Sequence, residues 1–186
     1  MNAVLDFLQQ RNSSGKLIEP GPNDAELQAI FEAAIRAPDH GRLTPWRFVT
    51  ISGEARNQLG QLFVKAKQLQ GENDPDILEK IAANPMRAPL IVVVVARIQT
   101  QEKIPEVEQQ LSAGCAAHGI LLAAEALGYA GMWRTGSVAY DALVKHELGL
   151  ANHEQITGFI YLGSQQGRKK RLPQLDPSDF VTPWPG

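Results

Sequence analysis

Between Ala3 and Arg11 apolar residues recur at helical spacing, with Val4, Leu5 and Leu8 on one face; Asn12-Ser13-Ser14-Gly15 then breaks the pattern with turn formers. A second helix opens at Asn23. Glu26 follows at the spacing of a capping box, and Leu27, Ile30, Phe31, Ala34 and Ile35 form the apolar stripe. Pro38 cannot continue that helix and turns Ala37 away from helical geometry, so the helix stops there. Trp46 to Ile51 predicts a strand, and Gly53 to Gln70 an amphipathic helix. Asn73 to Met86 is polar with a short helical middle, and Pro85 and Pro89 bracket an exposed connection.

Leu90 to Ala96 holds four successive valines and no polar position, which predicts a central strand covered on both faces. Pro105 begins the longest helix, which runs to about Leu127 and ends at Gly128. Tyr129 to Trp133 predicts a short strand, Asp141 to Leu148 a helix, Ile156 to Leu162 a strand, and Phe180-Val181-Thr182 a terminal strand. Helices and strands are mixed rather than strictly alternating, so the pattern predicts an α+β fold instead of a doubly wound sheet. No Gly-rich strand-to-helix turn of the dinucleotide or P-loop type occurs, so a nucleotide-like cofactor would need another device.

A length of 186 residues fits one domain over 1–186, enough to bury roughly 70% of the unfolded surface. The net charge of −2 gives no electrostatic case for nucleic acid. Arg168-Lys169-Lys170-Arg171 is the one basic run, and by itself it reads as a solvated loop. The single cysteine, Cys115, excludes an internal disulfide framework and suits a reducing cytoplasm; its small apolar neighbours predict a buried packing thiol. Met1-Asn2-Ala3-Val4 lacks the basic and long apolar regions of a signal peptide. Leu90 to Ala96 is too short for a bilayer, which needs ~20 residues of helix. Leu111 to Gly128 is long enough but carries His118 and Glu125, so it reads as a buried helix and no membrane span is expected.

Three clusters could carry chemistry. Arg11-Asn12-Ser13 closes the first helix with a guanidinium, an amide and a hydroxyl, which suit a phosphate; they also suit a plain helix end and turn. Arg36 to Trp46 places Arg36, His40 and Arg42 around the Pro38 break, a good rim for an anion, although a loop histidine is commonly a surface residue. Around His40 no second ligand stands at metal spacing, so no metal is expected. Gly131-Met132-Trp133-Arg134-Thr135-Gly136-Ser137 is a strand end rich in backbone amides. It could lie along a flat heterocycle or be an ordinary strand-to-helix turn.

Taken in order, these clusters resemble the nitroreductase-like flavoproteins. That family opens with R-x-S after the first helix, here Arg11-Asn12-Ser13. It continues with A-P-S-x-x-N-x-Q-P-W, here Ala37 to Trp46, then a long apolar helix, and closes on a strand ending in Leu162-Gly163. The compact branch carries R-A-P-D-H and W-R-[ST]-G almost as they stand here. The resemblance implies a mainly antiparallel sheet flanked by helices in an intertwined homodimer, with two FMN molecules at the subunit interface. It implies an NADH- or NADPH-dependent oxidoreductase acting on a nitroaromatic- or quinone-like acceptor by a ping-pong mechanism. Arg11, Asn12 and Ser13 would hold the phosphate and ribityl chain, Arg36 and His40 would reach in from the partner, and Trp133, Arg134 and Thr135 would line the isoalloxazine. Small residues of the long helix, Ala113, Gly114, Ala116, Ala117 and Gly119, would permit close approach of the second subunit.

Three departures keep a non-catalytic flavin-binding protein open as the alternative. Gly15 stands where many members carry Lys or Arg facing the flavin N1–C2=O edge, leaving Lys16, Arg36 and Arg134 as the available cations. Arg42 and Thr44 replace the usual Asn and Gln. The Arg168–Arg171 run is a candidate for the carboxyl-terminal phosphate contact of larger members, in an open register.

Overall fold

The computed structural model describes residues 2–186. Its helices are α1 (Ala3–Gln9), α2 (Asp24–Ala34), α3 (Ala55–Leu69), α4 (Pro75–Ala83), α5 (Glu106–Ala126) and α6 (Ala142–Glu147). Its strands are β1 (Leu17–Ile18), β2 (Trp46–Ser52), β3 (Leu90–Arg97), β4 (Ala130–Arg134) and β5 (Glu154–Gln165). The α+β class expected from the sequence is the class observed. Every strand pair is antiparallel: β3 lies between β2 and β5, and the far edge of β5 pairs with β4 and, beyond it, with β1.

The period of two along β3 explains its unbroken apolar run. Ile91, Val93 and Val95 point into one core with Leu59 and Phe63 of α3 and Val144 of α6. Leu90, Val92 and Val94 point into a second core with Ile30 of α2 and Ala117, Ile120 and Leu121 of α5. The sheet is thus the middle layer of three. Gly119 lets α5 lie close on α2, since a Cβ there would stand 3.2 Å from the Cα of Ala34.

Local signals in the sequence set several boundaries. Asn23 and Glu26 form the expected capping box at the start of α2. Pro105 sits at the N-cap of α5, and Gly128, at φ +89°, follows its end.

Pro85 and Pro89 are themselves buried, and Met86 and Arg87 between them are exposed, as expected of the connection that they bracket. Three expectations are corrected. Phe180-Val181-Thr182 forms no strand and pairs with none of the described strands. Cys115 is exposed, because it lies on the face of α5 that points away from the sheet. That face also leaves Val107 and Leu111 in the open, so the long helix is buried on one side only. Ala113, Ala116 and Ala117 are buried inside the chain, so intrachain packing uses most of the small residues.

One ion pair ties the far end of the sheet together. Arg47 of β2 reaches Glu154 of β5 through two hydrogen bonds of 2.7 Å, and the amide of Ala151 donates to the same carboxylate at 3.0 Å. Only 6% of the Glu154 side chain is exposed. The Arg47 hydrogen bonds lower its pKa to about 2 against the opposing effect of burial.

Candidate active site

Three chain segments that are distant in sequence meet at the outer edge of β5. The turn after α1 is fixed to β4 by the Ser14 amide, which donates to the Gly131 carbonyl at 3.0 Å. The chain leaving β5 is fixed to the same turn: the Asn12 side chain donates to the Lys170 carbonyl at 2.6 Å, and the Gln166 amide to the Lys16 carbonyl at 3.1 Å. Between them lies a cavity of about 400 Å³.

Six cationic side chains line this cavity, namely Lys16, Arg87, Arg134, Arg168, Lys169 and Lys170, and no carboxylate does. In a chain of net charge −2 such a concentration of one sign marks an anion site. Among the described residues Lys169 alone of the six meets a carboxylate, Glu125 at 2.9 Å. Asn12 and Ser13 also line it, and Arg11 stands behind them, donating to the Ser13 hydroxyl at 3.3 Å. Arg168 to Lys170 belong to the basic run that the resemblance leaves as a phosphate contact in an open register, and Arg87 is a contributor that the sequence does not single out. Both arrive through the sheet: Arg87 from the turn before β3, the basic run from the chain after β5.

Arg134 also lines a second cavity of about 420 Å³, together with Asn84, Thr135, Gly136, Ser137 and Tyr161. Its guanidinium lies 5.3 Å from the centre of the Tyr161 ring, a cation–π contact. Its Nε is buried and finds no acceptor among the described residues. Burial, and then the positive charge of Arg87, lower the Arg134 pKa, as expected of a cation short of counter-charge.

The remaining predicted residues lie elsewhere. Trp133 follows the alternation of β4 and points to the opposite face from Arg134. There it crosses β5 at Gly158, its indole N–H donating to the Thr157 carbonyl at 3.3 Å, where a Cβ would collide with the ring. With Arg36, Leu111, Gly114, Cys115 and His118 it lines an apolar groove of about 640 Å³ between α2 and α5. His40 is exposed near the groove, and since a carboxylate can only accept, its Nδ1–H donates to Glu108 at 2.5 Å. Neither Arg36 nor His40 lines the cationic cavity of its own chain. Arg42 and Thr44 hold left-handed backbone at φ +55° and +46°. The Asp39 carboxylate secures that turn by accepting from the amides of Leu43 and Thr44. Among the described residues no group of His, Cys, Asp and Glu could hold a metal, and no helix is long and apolar enough to cross a membrane.

A family model described as the nitroreductase family matches residues 9–164. The chain belongs to that family. It is 38% identical over 180 residues to an Escherichia coli K12 protein named "Putative NAD(P)H nitroreductase YdjA", covering 96% of this chain and 98% of the relative. A Haemophilus influenzae protein named "Putative NAD(P)H nitroreductase" is 37% identical, with the same coverage. In fold, the chain matches a nitroreductase-like family protein from Bacillus cereus with a TM-score of 0.85 at 17% identity, over 100% of this chain and 98% of that one. A nitroreductase with bound FMN from Bacteroides fragilis matches with a TM-score of 0.77 at 22% identity, over 99% and 100%. The residues of this chain suit such a cofactor: a carboxylate-free cationic cavity for a phosphate, a turn of small polar residues beside it, and an orphaned guanidinium N–H where the second cavity begins.

Proposed function

We propose that this nitroreductase-family chain is an FMN-dependent oxidoreductase of the cytoplasm. In this reading it takes hydride from NADH or NADPH and reduces a nitroaromatic- or quinone-like acceptor in a ping-pong sequence. The carrying observation is the carboxylate-free cationic cavity beside the Asn12–Lys16 turn. The FMN supplies the redox chemistry when bound, passing electrons from the nicotinamide to the second substrate. The chain binds and orients. Arg11, Asn12 and Ser13, with the basic run behind them, hold the phosphate and ribityl chain, while Arg134 and Thr135 face the ring system.

The same reading makes the protein a homodimer across the apolar groove. Arg36 and His40 at the groove would then be delivered to the partner's flavin, and Trp133 would stand where the two subunits close. Purified protein should be yellow and should bleach on anaerobic addition of NADH or NADPH. Yellow protein inert to both donors would instead mark a flavin-binding module without turnover.

Arg11→Ala should weaken FMN roughly ten- to a hundredfold, since a charge-assisted hydrogen bond contributes ~1.5–3 kcal/mol. Titration of the apo-variant checks this, and an unchanged affinity removes Arg11 from the site. The shared site is tested in a mixed dimer, one subunit carrying Arg11→Ala and the other Arg36→Ala with His40→Ala. Shared sites concentrate both lesions in one site and leave about half the flavin bound; sites built within single subunits lose well over half.

A further inference from the structure

We propose that Arg134 is the residue that stabilises the negative charge of the reduced cofactor, in the space that a long side chain at position 15 would otherwise fill. The proposal rests on the FMN reading above and settles which of the three available cations serves.

The geometry separates them. Lys16 is exposed to solvent, where its charge is screened. Arg36 lines the apolar groove, on the other face of β4 from the cationic cavity. Arg134 alone among the six cations of that cavity also lines the second one. The other five, Lys16, Arg87, Arg168, Lys169 and Lys170, are all exposed, whereas Arg134 is half-buried. A half-buried charge is less screened, so it acts more strongly on a ligand beside it.

Position 15 explains how the space came to be filled from the strand. A Cβ built on Gly15 would stand 3.6 Å from Nη2 of Arg134 and 3.7 Å from the terminal methyl of Met132. That is ordinary contact, so alanine would fit. A lysine or arginine there would run into the guanidinium, both sterically and by like charge. Loop and strand therefore offer room for one cation between them, and in this chain β4 supplies it.

Two further features suit Arg134 to an acceptor that is not part of the protein. Its buried Nε lacks a partner among the described residues, and an orphaned buried donor is costly until one is found. The Tyr161 ring packs against the guanidinium without neutralising it. A ring system that accepts a hydride gains two electrons and one proton, hence one negative charge. A preorganised, half-buried guanidinium favours that charged state over the neutral oxidised one.

The test is the two-electron midpoint potential of bound FMN, measured beside the affinity for oxidised FMN. Arg134→Met should weaken the reduced cofactor about 100-fold relative to the oxidised one, a fall of about 60 mV at 29.6 mV per tenfold. Binding of oxidised FMN should weaken far less, about tenfold at most. Arg134→Lys should keep most of the potential. Gly15→Lys added to Arg134→Met should recover at least half of the loss, whereas Gly15→Lys alone should lower thermal stability. An unchanged midpoint in Arg134→Met with FMN still bound overturns the proposal. So does an equal loss of both redox forms, which would make Arg134 a phosphate contact only. If Arg134→Met fails to fold, a potential in Arg134→Lys with Gly15→Ala equal to that of Gly15→Met with Arg134→Gln overturns it as well. Wild-type protein that takes up no FMN would instead overturn the flavin reading itself.

Discussion

Leu111→Glu is expected to turn the protein into a monomer and to strip it of flavin. Leu111 is 63% exposed on the outward face of α5, with Val107, at 56%, one turn before it and Cys115 one turn after. These residues form the wall of the apolar groove that ends at Arg36 and Trp133. In the single chain a glutamate there points into water and keeps good helix propensity, so the fold should survive, with a melting temperature lowered only by the loss of partner and flavin. In a twofold interface the same substitution occurs twice and buries two unpaired carboxylates. At several kcal/mol of desolvation in total, the dimer dissociation constant should rise at least ~100-fold. Sedimentation at micromolar concentration gives the association state, and FMN titration the consequence for the site. A dimer that persists with full flavin content would mean that the second subunit docks elsewhere, and the shared-site arrangement would fall with it.

Arg47→Met should cost about 3 kcal/mol of stability, and the loss should depend on pH. The Glu154 carboxylate, nearly all out of water, depends on two Arg47 hydrogen bonds of 2.7 Å. Arg97 stands further off, at 3.6 Å, without a hydrogen bond to the carboxylate. Removing one partner of such a pair typically costs 3–5 kcal/mol, because it leaves a buried charge uncompensated. The Glu154 pKa, lowered from 4.5 to about 2, corresponds to roughly the same figure at 1.36 kcal/mol per unit. A carboxylate with a depressed folded pKa contributes its full stability above the unfolded value, near 4.5. That contribution is lost as pH falls through the folded value near 2. The difference between wild type and Arg47→Met should therefore be largest above pH 4.5 and shrink towards pH 2. Urea unfolding midpoints across that range would show it, and a difference independent of pH would contradict the assignment of the shift to Arg47.

Much of the architecture is written locally in this chain. The valine run of β3 could only be a strand covered on both sides, because each face of a strand needs its own apolar neighbours. Asn23 with Glu26, Pro105 and Gly128 fixed helix ends through hydrogen bonds and backbone angles that involve only nearby residues. Arg11-Asn12-Ser13 could be singled out in the same way, as donors grouped on one turn.

What tertiary structure decided is whatever depends on a partner far along the chain. The three residues Phe180 to Thr182 have strand-like side chains but pair with none of the described strands, while the two-residue β1 has no pattern of its own and pairs because β5 extends past β4. The exposure of Cys115 follows from which face of α5 the sheet covers, and small and apolar residues on several of its faces do not distinguish them. Trp133 and Arg134, adjacent in sequence, serve opposite sides because a strand alternates. The six cations of the anion cavity come from four places in the sequence, and only the closure of the sheet brings them to one point. Charge acts through space, so a run that is merely solvated in the sequence becomes part of a site when the fold puts an amide-rich turn and a buried guanidinium beside it.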